Sequence, residues 1–123
     1  DEGLNSYTSI RVMAGNIARM NNAVTIANLY IEEGAVLGDH SIVYPGVYLG
    51  RNVKIGKHCI INTMSSIDHE TVLKDNVQVG PGAILCGNVV VNENVFIGAD
   101  SIIFPGVNIT KNTTIPAGSI IKK

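Results

Sequence analysis

From Ile31 onward an apolar residue recurs at every sixth position. The column reads Ile31, Leu37, Val43, Leu49, Ile55, Ile61, Ile67, Leu73, Val79, Leu85, Val91, Ile97, Ile103, Ile109, Ile115 and Ile121, and all sixteen members are Ile, Leu or Val. Four positions after each stands a small or β-branched residue: Ala35, Ser41, Val47, Val53, Cys59, Ser65, Thr71, Val77, Ala83, Val89, Val95, Ser101, Val107, Thr113 and Ser119. Two such columns in register are an internal repeat, and a repeat settles architecture before any single residue does. A period of six is neither the roughly 3.6 of an amphipathic helix nor the about 2 of a plain strand. It fits a short strand followed by a sharp corner. The small residue and the next aliphatic lie two apart, so they share one side of the strand, and that side must be the interior.

The remaining positions carry the corners. Gly34, Gly46, Gly82, Gly106 and Gly118 share one offset with Asn52, Asn76, Asn88, Asn94 and Asn112. Gly and Asn tolerate the positive φ that a tight corner demands. Three strands and three corners close a coil of eighteen residues, and stacked coils pair as parallel strands about 4.8 Å apart. The predicted fold is all-β: a left-handed parallel β-helix, a triangular prism of eighteen-residue coils. The chain reads as one domain, with residues 1–30 forming an irregular N-terminal strand region and first coils and 31–123 forming the regular helix. Val12, Ala18, Val24 and Tyr30 also step by six, but one residue out of frame with Ile31. This predicts a coil and a half separated from the rest by a one-residue slip. No α-helix is expected before the last few residues.

The residue between the two inward columns faces out. Ten of those fifteen outward positions are apolar: Val36, Ile42, Tyr48, Ile60, Val72, Ile84, Val90, Phe96, Ile102 and Ile120. Stepping by eighteen aligns Ile42, Ile60, Gln78 and Phe96 on one face and Tyr48, Ser66, Ile84, Ile102 and Ile120 on another. Aligned apolar stripes mark an interface, and a three-sided prism points to a closed homotrimer.

Composition narrows the function classes. The net charge is -1 and the pI about 6.3, which gives no basic footprint for nucleic acid. The chain has no Trp, four Tyr and two Phe, too few for base-stacking platforms. No apolar run approaches the ~18 residues of a membrane helix, and the first twenty residues lack the apolar core of a secretion signal. Asp1, not Met, opens the chain, as in a piece of a longer protein. Two cysteines, Cys59 and Cys86, make no disulfide framework and no C-x-x-C, so a reducing cytoplasm is the expected compartment. Two glycosylation-type triplets, at Asn108 and Asn112, follow from the repeat itself.

Chemistry has few places to sit. His40 and His58 are eighteen apart, so they should stack at one corner as filling; a zinc site of the γ-carbonic-anhydrase kind would need a further His pair, so no metal is expected. His69 differs, because Asp68 and Glu70 flank it. Carboxylates can orient an imidazole and raise its basicity, and such an imidazole is a general base for a hydroxyl or amine. Cys86 reads as a corner thiol with no base beside it.

The hexad ladder resembles that of the hexapeptide-repeat acyltransferases. Within them, Ile61-Asn62-Thr63, Ile67-Asp68-His69-Glu70, Gly80-Pro81-Gly82-Ala83 and Cys86-Gly87-Asn88 look like the sialic-acid O-acetyltransferase and bacillosamine N-acetyltransferase group. The resemblance spans roughly residues 10–120. It implies an acetyl-CoA-dependent O- or N-acetyltransferase acting on a sugar, nucleotide sugar or small amine, with acetyl-CoA as co-substrate. It makes His69 the general base and Glu70 its acidic partner, with Asn62 beside them. It puts Gln78 where some relatives have a His near acetyl-CoA, and Gly87, Ala99 and Ala117 along the acetyl-CoA groove. That group commonly carries a Rossmann-like domain ahead of the coils; no strand, Gly-rich loop and helix precede them here, so the acceptor stays open. A non-catalytic hexapeptide scaffold and a γ-type carbonic anhydrase are the alternatives.

Overall fold

The structure, a computed structural model, describes residues 29–123 in full and, before them, only the backbone of three short strands. Nineteen two-residue strands follow one another in the described chain. Strands β3 (Val24–Thr25), β6 (Ile42–Val43), β9 (Ile60–Ile61), β12 (Gln78–Val79), β15 (Phe96–Ile97) and β18 (Thr114–Ile115) stack as a first face. The second face holds β4 (Tyr30–Ile31), β7 (Tyr48–Leu49), β10 (Ser66–Ile67), β13 (Ile84–Leu85), β16 (Ile102–Ile103) and β19 (Ile120–Ile121). The third holds β5 (Val36–Leu37), β8 (Lys54–Ile55), β11 (Val72–Leu73), β14 (Val90–Val91) and β17 (Asn108–Ile109). Within each face the pairing is parallel and every Cα partner lies eighteen residues away, as in Ser66 with Ile84 and Ser66 with Tyr48. This is the left-handed parallel β-helix that the hexad period predicts. No helix occurs among the described residues.

The two inward columns meet on the prism axis. Leu37, Leu49, Ile61, Ile67, Leu73, Leu85, Ile97 and Ile103 are fully buried, and the small column packs between them. Each such aliphatic contributes about 1.5–3 kcal/mol on burial. The buried hydroxyls are all bonded: Ser41 Oγ donates to Gly56 O and accepts from Cys59 N, and Thr71 Oγ1 donates to Cys86 O and accepts from Val89 N. Ser41 and Thr71 therefore tie one coil to the next, and these bonds offset the cost of taking the hydroxyls out of water.

The corner column is uniform. All fifteen residues from position 34 to 118 in steps of six have positive φ. Gly and Asn fill ten of these places, as the sequence predicts; His40, His58, Met64, Glu70 and Asp100 fill the other five with the same geometry, φ 58–64°. Glycine is required twice over at Gly34, since a Cβ there would fall on the Asn52 amide.

The N-terminal expectation needs correction. Val24 pairs with Ile42 and Thr25 with Val43, in the same register as all later coils. Strand β2 (Ala18–Arg19) also begins six residues before β3, so no slip separates this stretch from Ile31. The break in frame lies earlier: β1 (Arg11–Val12) starts seven residues before β2 and pairs with it antiparallel, Arg11 opposite Arg19. Val24 and Tyr30 thus begin strands of regular coils, and only β1, with its antiparallel pairing, departs from the eighteen-residue register. The side chains of residues 1–28 lie outside the described residues.

Candidate active site

Three corners run the length of the prism: one between the first and second faces, one between the second and third, and one between the third and first. His69 sits on the middle one, which follows β10. Its backbone is held from both sides: His69 N donates to Asp68 Oδ1 at 2.7 Å, His69 O accepts from Asn88 N one coil on, and Glu70 N donates to Arg51 O one coil back. The side chain stands outside the core. Nδ1 and Glu70 Oε1 are 2.9 Å apart. With the proton on Nδ1 donated to the carboxylate, the lone pair is left on Nε2, the tautomer a general base needs.

The ring lies over Gly87, its equivalent in the next coil. A Cβ at Gly87 would fall on the Nε2–Cε1 edge and come within 3.0 Å of Cδ2. Gly87 is buried although it sits at a corner, because the imidazole covers it. A bare glycine thus seats the imidazole against the backbone. The Glu70 carboxyl is held below the usual carboxylate range, first by the Asn52 amide donating to Oε2 at 2.8 Å and then by its bond to His69. Asn52 has no assigned chemistry in the sequence. The signal was there: it stands eighteen residues before Glu70, directly beneath it.

The other candidates lie elsewhere on the chain. Asn62 is at the corner before β10, where its Oδ1 accepts from Thr63 N at 2.8 Å and its carbonyl accepts from Ser65. Ala99 and Ala117 stack on that same corner, with Gly118 N donating to Ala99 O at 2.8 Å. Glycines beneath them press backbone on backbone: a Cβ at Gly80 would come within 2.6 Å of Ala99 N. Gln78 is exposed on the first face between Ile60 and Phe96, at a shallow hollow shared with Asn76 and Asn94. One chain therefore brings together His69, Glu70 and Gly87, and separately Asn62, Ala99 and Ala117 with Gln78 nearby. The whole of β10 divides the two sets, so Asn62 is not beside His69 within the chain, and the line from Gly87 to Ala99 crosses a face.

His40 and His58 stack as the sequence predicts, with centroids 5.2 Å apart and planes 7° from parallel. Among the described residues no three His, Cys, Asp or Glu side chains form a group that could hold a metal.

The ladder has known counterparts. The family described as bacterial transferase hexapeptide (six repeats) matches residues 34–69 and 70–105, more than half of the chain. The chain belongs to this family. The hexapeptide repeat of succinyl-transferase matches residues 91–123 of the same ladder. Among curated relatives of this hexapeptide transferase chain is the bifunctional protein GlmU of Alkaliphilus oremlandii, 40% identical over 83 residues, which are 63% of this chain and 18% of that protein. Among solved structures, PerB from Caulobacter crescentus in complex with CoA and GDP-perosamine has a TM-score of 0.75 at 29% identity, covering 84% of this chain and 51% of that one. The acetyltransferase domain of PglB from Neisseria gonorrhoeae, in complex with acetyl coenzyme A, has a TM-score of 0.77 at 23% identity over 81% of this chain and 51% of that one, a likeness of fold alone. The chain thus spans about half the length of these solved enzymes.

Proposed function

We propose that this hexapeptide-repeat chain is the catalytic prism of an acetyl-CoA-dependent acetyltransferase whose acceptor is a sugar amine or hydroxyl, with His69 as general base. The observation that carries the reading is the His69–Glu70 pair at 2.9 Å, with Nε2 left over a bare glycine. The acceptor's nitrogen or oxygen forms the new bond to the thioester carbonyl carbon. Nε2 takes the proton that leaves it. The C–S bond then breaks, and sulfur departs as a thiolate that recovers the proton from the imidazolium. A backbone amide at a corner stabilises the oxyanion in between. The perosamine enzyme of similar fold was solved with CoA and a nucleotide sugar, which supports this substrate class.

The split of the candidate residues between two corners supports a further part of the reading: the site is assembled between subunits of a homotrimer. The second face offers the apolar surface, since Tyr30 is 62%, Ile84 43% and Ile120 60% exposed. Closing three prisms would set the His69 corner of one chain against the Ala99–Ala117 corner of its neighbour, with the acetyl-CoA arm between them along Gly87, Ala99 and Ala117. Gln78 would approach the thioester, and Asn62 the acceptor.

The test is an acetyl-transfer assay over a panel of amino sugars, reading coenzyme A release, together with a mixing experiment. His69→Ala and Ala99→Trp are each expected to be inactive. Trimers assembled from both variants should regain part of the parent rate, because some interfaces then carry two intact corners. A parent chain that binds no coenzyme A would instead be a scaffold. Light scattering that shows only monomer, or mixed variants that regain nothing, would end the interface reading.

A further inference from the structure

We propose that Asn52 is a positioning residue for the His69–Glu70 pair: it pins one oxygen of the Glu70 carboxylate so that the other faces Nδ1 of the imidazole. The inference rests on the reading of His69 as the base. Glu70 lies on an exposed corner, where a glutamate ordinarily wanders among rotamers. Here each oxygen has its own partner. Oε2 accepts from Asn52 Nδ2 at 2.8 Å, and Oε1 faces His69 Nδ1 at 2.9 Å. A carboxylate held at both ends has one orientation, and that orientation selects the Nδ1–H tautomer.

Asn52 is itself fixed from below. Its backbone N donates to Glu33 O at 3.1 Å, and its φ is 60°, a value that Asn accepts. The amide occupies the space over Gly34, where any Cβ would collide with Oδ1. Gly34, Asn52, Glu70 and the ring over Gly87 thus form a column across successive coils, each member admitted by the one beneath. The charged groups facing the pair are Arg51 and Asp68, besides Glu70 itself. The same kind of rung occurs with no histidine beside it on the corner between the third and first faces, two coils beyond His58, where Asn94 Nδ2 donates to Asn112 Oδ1 at 3.2 Å. That rung is a built-in control for an amide that only decorates a corner.

The experiment compares Asn52→Gly and Asn112→Gly with the parent. Glycine keeps the positive φ unstrained, so both variants should fold. The tautomer of neutral His69, read from its two ring-nitrogen resonances, separates the possible roles. An amide that merely solvates the carboxylate leaves Oε1 facing Nδ1 when removed, and the Nδ1–H tautomer persists. An amide that positions the carboxylate leaves it wandering when removed, and the two tautomers mix. We expect Asn52→Gly to mix them. We also expect kcat to fall about tenfold, within the range of outer-shell partners, with KM for acetyl-CoA unchanged. Asn112→Gly should alter none of these. A His69 tautomer that stays as in the parent in Asn52→Gly, or that mixes equally in Asn112→Gly, would overturn the proposal. The resonance measurement needs no activity, so it decides the role of Asn52 even if His69→Ala proves fully active.

Discussion

Two corners of this prism carry histidines, and they use them in opposite ways. On the corner between the third and first faces, His40 and His58 occupy the positive-φ place of the hexad and stack ring on ring. On the corner between the second and third faces the positive-φ place belongs to Glu70, and the histidine stands one position earlier. That single step changes what the ring meets. At the positive-φ place a side chain folds along the column onto its own kind. One position earlier it leans over the next coil, and only a glycine there leaves room. The same residue type is packing material in one phase of the repeat and, in the neighbouring phase, an exposed ring paired with a carboxylate, the group we propose as the base.

The sharpest way to break this comparison is to remove each histidine in turn. His69→Ala should reduce turnover by about 10²–10⁴, the usual cost of losing a general base, with coenzyme A affinity little changed in calorimetry. His40→Asn and His58→Asn should leave the rate within about twofold and stability within about 1 kcal/mol, because Asn also accepts positive φ. Equal losses at both corners would erase the distinction. Next comes the seat. Gly87→Ala places a methyl where the Nε2 edge of the ring lies, and a displacement of about 1 Å costs roughly 10² in rate. Its thermal midpoint should stay near the parent's, since the ring is free to swing outward.

A smaller effect should appear in the thiols, one beside each kind of histidine. Cys59 follows His58 but points inward; burial, its largest influence, pushes its thiol up. Cys86 precedes Gly87 and is partly exposed. A maleimide should label Cys86 at least about tenfold faster, and acetyl-CoA should slow that labelling if the cofactor passes Gly87. The smallest effect is the acid response of Glu70. Its carboxyl is held below the usual range, so the stability it lends is present above the unfolded carboxylate value and is lost as pH falls through the depressed one. Melting curves of the parent and Glu70→Gln should therefore differ by a constant amount near neutrality and converge in acid.

Much of the fold was legible because each hexad repeats the same physical demand. An aliphatic residue every sixth place and a small residue four beyond it admit one packing, and the coils from Ile31 follow it without exception. The frame before Ile31 looks shifted in the sequence because Val24 and Tyr30 are apolar residues of the outward column, one place before the inward one, and not members of a displaced inward column. The site was legible only in part. Flanking carboxylates flagged His69, and the eighteen-residue period could have led from Glu70 back to Asn52. Gly87 was assigned to the cofactor from resemblance, yet its contact with the imidazole depends on the lean of one ring, which no pattern of residue types encodes. Asn62, Ala99 and Ala117 share a corner distinct from that of His69, a separation that the eighteen-residue period already carries.

Because each coil stacks on the last in identical register, the prism can be shortened by whole turns. Excising residues 71–88 would join Glu70 to Val89 in phase and heal the wall. The Asn52–Glu70 rung would survive, but Pro105 would slide under the imidazole in place of Gly87. Such a molecule should keep its architecture and lose the seat of the His69 ring. What repeats as a unit here is thus the turn of the staircase, while the candidate site depends on the order in which particular turns are laid.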